Sequence, residues 1–197
     1  GITGQPDIYA ETNSIVNMSE IDLKIIIDHD IIANKPNYFL GVGFGYKQSS
    51  HDYKIIGPGF QNNYITQRHV KFKKNELLLD YQLDIKSPYI SLYSNNKYLK
   101  ADLKYFPYVQ VEDLDHHILR NKYSKSEAKG NGFELNIKTY KKIKKNLILI
   151  IKFGYEYIEA DGNQKQWFEN TKYNIDNINY EFDYNQKNIN ISLKYIF

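Results

Sequence analysis

Apolar and polar residues alternate along most of this chain with a period of two. Ile21, Leu23, Ile25 and Ile27 fall on one face, with Glu20, Asp22, Lys24 and Asp28 on the other. This predicts a strand from about residue 14 with one oily and one wet side. Residues 33–36 read as a tight turn, Ala-Asn-Lys-Pro. Tyr38, Leu40, Val42, Phe44 and Tyr46 then share a face, with Gly41, Gly43 and Gly45 opposite, where missing side chains leave room inside a barrel. Leu77, Leu79, Tyr81, Leu83 and Ile85 form the next apolar row. At Ser87-Pro88 the parity changes, Ile90 and Leu92 continue on the other phase, and a bulge is expected. Leu99 to Tyr105, Phe133 to Ile137, Leu147 to Tyr157 and Ile189 to Phe197 complete about seven strands, and residues 180–187 either start the last strand or form a separate hairpin arm.

Two regularities follow. Short turns, such as Ser94-Asn95-Asn96 and residues 141–146, alternate with long polar connections at about 57–74, 118–129 and 160–176. Each strand keeps one face apolar for about ten residues, as expected for an all-β, antiparallel, up-and-down transmembrane barrel with brief periplasmic turns and extended outer loops. The oily rows, including Leu83 and Ile85, carry no charge and are assigned to lipid, where a charge near mid-bilayer would cost about 2–4 kcal/mol. An odd strand count leaves such a barrel unclosed, and hydrocarbon does not tolerate unpaired edges. The first residues, GITGQPDIYAETNS, read as a polar loop, and the single Met stands at position 18. The expectation is one partial barrel domain over 1–197, with strands missing at its N-terminal side.

Composition sharpens this picture. The 197 residues are 42% hydrophobic yet include 19 Tyr, 10 Phe and one Trp, with a mean hydropathy of −0.61. So many rings beside so many polar groups suit strands that show rings to lipid and charge to water. The net charge of +3 is spread along the chain and does not point to nucleic acid. No Cys is present, which removes disulfides and thiol chemistry. No apolar run reaches the length of about 18 that a membrane helix needs.

The stretch Leu103 to His117, LKYFPYVQVEDLDHH, concentrates the reactive groups. Asp113, Asp115 and His117 are two apart, so an extended backbone projects them from one face. A carboxylate beside an imidazole fixes its tautomer and raises its basicity, which suits the activation of water. From the residues alone, a solvated loop with exposed imidazoles fits as well. A metal site fits less, because His116 and His117 point oppositely on a strand, and His29, His51 and His69 are scattered singly. Simple parity puts Asp113 and His117 on the lipid side with Leu103. Turning them inward requires a second bulge, near Pro107.

With these residues in view, the chain resembles the omptin family of outer-membrane proteases from about Ser14 to Phe197. The resemblance is carried by Asn37-Tyr38-Phe39-Leu40-Gly41 leading to Gly45-Tyr46, by Ser87-Pro88-Tyr89-Ile90, by Leu103-Lys104-Tyr105 with Val109 and Asp113-Leu114-Asp115-His116-His117, and by the ending Leu193-Lys194-Tyr195-Ile196-Phe197. It implies a ten-stranded barrel in the cell outer membrane with an extracellular groove, in which Asp115 and His117 activate water and Asp113 receives a Lys or Arg side chain of a peptide substrate. No metal or other cofactor is implied. The facing aspartate pair and pocket glutamate of the family have no counterpart, so the chain looks like about seven of the ten strands and is not expected to cleave peptides by itself.

The resemblance also implies outer-membrane lipid as a partner, with lipopolysaccharide as an activator bound on the outer wall. Tyr46 and Lys129 match positions of that site, whereas Gln48, Ser50 and Asp84 stand where the family has glutamate and arginines. Two other readings are weighed against it. One is a non-enzymatic outer-membrane barrel serving adhesion or structure, and the other is a soluble β-sandwich or lipocalin-like binder with its aromatic rings inside.

Overall fold

The computed structural model describes residues 8–29, 38–63, 67–96, 98–169 and 174–195. The strands are β1 (Ile8–His29), β2 (Tyr38–Asn63), β3 (Arg68–Phe72), β4 (Leu77–Asn96), β5 (Leu99–His117), β6 (Lys122–Lys144), β7 (Leu147–Phe168) and β8 (Asn174–Tyr195), with one 3₁₀ turn at Ile118–Arg120. They form a single antiparallel sheet in the order β1-β2-β4-β5-β6-β7-β8, and β3 pairs with the outer end of β2. Among the described residues β1 and β8 are its two ends, so the wall is a half-barrel. The expected turn at 33–36 and the terminal Ile196 and Phe197 lie outside the described residues.

The strands are longer than their apolar rows. β5 has 19 residues and β2 has 26, against about 9–11 needed to cross a bilayer. Most of the three stretches expected as long connections is therefore strand. β2 runs to Asn63, β6 starts at Lys122, and β7 runs to Phe168. Likewise β1 starts at Ile8, inside the expected polar loop, and 180–187 belongs to β8. Beyond the lipid the outer face meets water, so alternation fades while ladder hydrogen bonds continue, and a polar strand resembles a loop in sequence.

The wall also inverts its polarity. In its lower half, Leu40, Val42, Phe44, Ile90, Leu92, Leu103, Ile151, Ile189 and Ile191 face outward and are exposed. Charges face inward there and link strands across the interior as well as neighbouring ones. Lys47 Nζ lies 2.8 Å from Glu134 and 2.7 Å from Glu156. Lys104 Nζ lies 2.6 Å from Asp22 and 3.0 Å from Glu134, and Lys24 lies 2.7 Å from Asp102. In the upper half the interior is dry, with a core of Leu83, Ile85, Tyr89, Phe106, Val109, Val111, Ala128, Ile158 and Ala160. The outer face there carries Glu112, Lys125, Glu127, Lys129 and Asp161.

This inversion corrects the assignment of Leu83 and Ile85 to lipid, since both are buried in the core. It also replaces the bulge expected at Ser87-Pro88. The β2–β4 register is unbroken from Tyr38↔Asn96 to Ile55↔Leu79, and Leu83, Ile85, Ser87, Tyr89 and Ser91 all stay on the buried face. Parity changes in the sequence because the oily side of the strand changes, not because the backbone shifts. Tyr89 uses the space left by Gly45, its register partner, where an added Cβ would run into the ring. Its hydroxyl donates to Asp22 Oδ1 at 2.5 Å.

The second expected bulge is present. Between Phe106 and Val109, β5 spends one residue more than β6 does between Gly132 and Gly130, and the β4–β5 ladder shifts at the same level. Pro107 stands in the gap, where a missing N–H costs no ladder bond. Below the bulge Lys104 and Phe106 point inward, and above it Val109, Val111 and Asp113 do.

Candidate functional site

The bulge decides what the end of β5 presents. Val109 and Val111 are 0% exposed and Asp113 is 6% exposed, and Asp115 and His117 continue on that inner face. His117 Nε2 lies 2.9 Å from Asp115 Oδ2, with side chains 32% and 22% exposed. The pair is thus formed, half-open and at the outer end of its strand. An imidazole donating from Nε2 to a carboxylate keeps the Nδ1 lone pair free to accept a proton. Asp115 Oδ1 is buried and has no hydrogen-bond partner among the described residues.

His116 points the other way, as its parity requires. Its ring stacks on Tyr123 with centroids 3.9 Å apart, and Tyr123 stacks on Trp167 at 5.4 Å. These are register partners on β5, β6 and β7, so a cross-strand ring ladder on the outer wall braces the strand end that bears the pair. After His117 the chain leaves through the 3₁₀ turn, closed by the Asn121 amide to Ile118 O at 3.1 Å with Asn121 at φ 44.

Asp113 lies one step deeper. Its Oδ1 accepts the Ser126 amide of β6 at 3.1 Å. Tyr81, on β4, and Tyr180, on β8, pack against the core beside it, near enough for its charge to act on both phenols. Burial, and next the Asp113 carboxylate, push both phenols well above the ordinary tyrosine range. Tyr81 in turn packs at 5.9 Å on Tyr53, which stacks on His51 at 6.2 Å. Burial holds the His51 imidazole below its usual range, and its Nδ1 has no partner among the described residues.

Tyr81 and Tyr180 were not singled out by sequence reasoning. Tyr81 lies in an ordinary alternating row, and nothing local tells that Tyr180, almost a hundred residues later, comes to lie beside the same carboxylate. The serines Ser124 and Ser126, nearly or fully buried beside the site, were also missed. Ser126 Oγ accepts from Gln164 at 3.1 Å, which fixes the β6–β7 side.

A family model described as the Omptin family matches residues 7–197. The chain belongs to the omptin family. Among solved structures, the outer-membrane protease OmpT from Escherichia coli matches with a TM-score of 0.68 and 22% identity, over 98% of this chain and 69% of that one. No curated protein sequence matches. The omptin architecture agrees with the wall described above, with lipid-type residues outside and charges inside in the lower half. A soluble lipocalin-like binder would bury those same apolar rows.

The two residues of this omptin expected to meet lipopolysaccharide share the outer face. Gln48, Lys86, Gln110, Lys129 and Asp161 form one register row across β2, β4, β5, β6 and β7, and Tyr46 lies just below it. Three strand steps therefore separate Tyr46 from Lys129, about 14 Å. Between them Lys86 meets Glu112 at 3.4 Å, and Ser50 Oγ donates to Asp84 at 2.5 Å.

Proposed function

We propose that this omptin is an outer-membrane endopeptidase that cuts peptides next to a basic residue by water attack, with its groove facing the cell exterior. The observation that carries the reading is the 2.9 Å contact of His117 with Asp115 on the inner face of an outer strand end. His117 Nδ1 takes a proton from water while the resulting hydroxide attacks the peptide carbonyl. Asp115 stabilises the imidazolium, which then returns the proton to the leaving amine, so no covalent intermediate forms. Asp113, two residues before the pair, receives the basic side chain, since a carboxylate and a cation form a charge-assisted bond.

The outer wall at Tyr46 and Lys129 is where lipopolysaccharide would lie. Lys129 faces Asp161 in that row and Lys86 meets Glu112 just above it, so charge is nearly balanced and only weak activation is expected. A half-barrel supplies one wall of a groove, and the isolated chain is expected to bind a peptide without cutting it. The decisive experiment uses outer-membrane vesicles from cells expressing the native gene, with a fluorogenic peptide containing two consecutive basic residues. His117→Ala and Asp115→Asn should each lower cleavage by roughly 10²–10⁴-fold, the scale of a positioned base. Unchanged cleavage removes both residues from the mechanism.

A further inference from the structure

The lower rim of the wall carries positive charge that no side chain of β5 to β8 neutralises. We propose that this rim, formed by the β6–β7 hairpin and the end of β8, binds the headgroups of anionic phospholipids. With the groove outward, as proposed above, the lipid is that of the periplasmic leaflet; the binding itself does not rest on that orientation.

Lys141, Lys142, Lys144, Lys145 and Lys194 are all exposed there. Higher on the inner face, Lys100, Lys138 and Lys152 are register partners on β5, β6 and β7, and like charges directly opposite one another are unfavourable. The sequence holds no Asp or Glu from residue 135 to 155, nor from 184 to 197. The nearest carboxylates on β5, β6 and β7 are Asp102, Glu134 and Glu156, and each already lies within 3.0 Å of Lys24, Lys47 or Lys104. On the upper outer face, by contrast, Lys86 meets Glu112 and Lys125 meets Glu127. The excess is therefore local, in a chain whose net charge is only +3.

The register puts these lysines where the apolar belt ends. Thr139, Ile151 and Ile191 form one outer row, Lys141, Leu149 and Leu193 the next, and Lys144, Leu147 and Tyr195 the last. Ile143, Leu193 and Tyr195 are exposed among them, and Lys142 and Lys194 flank Ile148 across the three strands. Apolar and cationic side chains thus interleave over two rows, as suits the level at which acyl chains give way to headgroups. There a lysine lays its stem on apolar surface and lifts its ammonium to a phosphate, and each such lysine is attracted to an anionic surface. Headgroups lie beside this rim whenever the belt is in a bilayer, whereas a soluble acidic partner would have to be recruited. Lys129 stands at the opposite end of β6, so this site is separate from the outer wall where lipopolysaccharide would lie.

The test reads lipid composition at the rim itself. Ile143→Cys gives the 197-residue chain, which has no Cys, a single thiol for a bimane fluorophore. The labelled chain is folded into phosphatidylcholine bilayers doped with either brominated phosphatidylglycerol or brominated phosphatidylcholine. At low salt the phosphatidylglycerol should quench at a roughly fivefold lower mole fraction, the scale of one lysine beside an anionic headgroup. Replacing Lys141, Lys142, Lys144 and Lys145 together by Gln should bring that ratio to about one, whereas Lys125→Gln with Lys165→Gln, on the upper wall, should leave it in place. Should the fourfold variant fail to fold, salt of about 1 M decides on the lysine-bearing chain, because it shortens the Debye length to about 3 Å and should collapse the preference. An equal amount of soluble glycerol phosphate should not displace it. Equal quenching by the two lipids at low salt, a ratio unmoved by the four substitutions or by salt, or displacement by glycerol phosphate overturns the proposal, the last by making the rim a soluble-anion site. No peptide enters the measurement, so failure of the proposed cleavage and failure of lipid binding are read separately.

Discussion

The lower and upper halves of the same strands obey opposite rules. Below Tyr89 and Phe106 the oily side chains face outward and Lys24, Lys47 and Lys104 meet carboxylates inside. Above that level the interior is a dry core and the charges stand outside. The reason is the solvent on each side. Lipid demands an apolar exterior, and a lumen lined by charges stays wet, as does the polar cavity of about 460 Å³ between Glu20, Asp22, Lys47, Lys104 and Glu134. Beyond the lipid, water outside restores the ordinary arrangement of a soluble sheet. The core built there carries the site on its upper surface, which makes the Asp115–His117 pair a feature of the soluble half.

The comparison can be broken in several ways. The largest effect is expected from inserting one glycine between Val109 and Gln110, above the bulge of β5, which shifts the strand by one residue and turns Asp113, Asp115 and His117 to the outer face. Cleavage in vesicles should disappear, while strand content by circular dichroism persists. Retained cleavage would mean that the phase of β5 above the bulge does not set the orientation of these residues.

Next comes Lys47→Met. It strands Glu156 in the lower interior and leaves Glu134 with Lys104, and breaking a buried pair costs about 3–5 kcal/mol. Urea unfolding followed by Trp167 fluorescence should show the loss, with recovery in a double variant that adds Glu156→Gln. A smaller contrast places the same residue twice on the outer face of β7. Ile151→Lys, within the apolar belt, should cost about 2–4 kcal/mol. Asn163→Lys, twelve positions further along the same strand, should change stability by less than about 0.5 kcal/mol. Equal costs would place the lipid boundary elsewhere.

The smallest effect concerns pH. His51 is buried with its imidazole depressed below the usual range, so between its folded pKa and the ordinary value the unfolded chain binds more protons. Stability should therefore be full above the ordinary imidazole range and decline as pH falls below it. His51→Gln should flatten that decline in urea midpoints measured from neutral to mildly acidic pH. A decline that survives the substitution assigns it to other groups.

What the sequence determined by itself was the local conformation and the local neighbours. A period of two in Leu147 to Tyr157 or Leu99 to Tyr105 dictates a strand with one dry face, and the spacing of Asp115 and His117 makes them meet wherever the strand is placed. The need for a bulge near Pro107 was also legible, because without it the reactive groups lie with Leu103. Tertiary structure decided whether a dry face meets lipid or a core, since both media select the same side chains. That is why Leu83 and Ile85 read as lipid-facing and why the parity change at Ser87-Pro88 looked like a backbone defect. It also decided that the polar stretches continue as strand, because ladder bonds are made with neighbours that alternation does not reveal. The packing of Tyr81 and Tyr180 beside Asp113 arises only when β8 curls across the interior towards β4, a long-range event with no local trace in the chain.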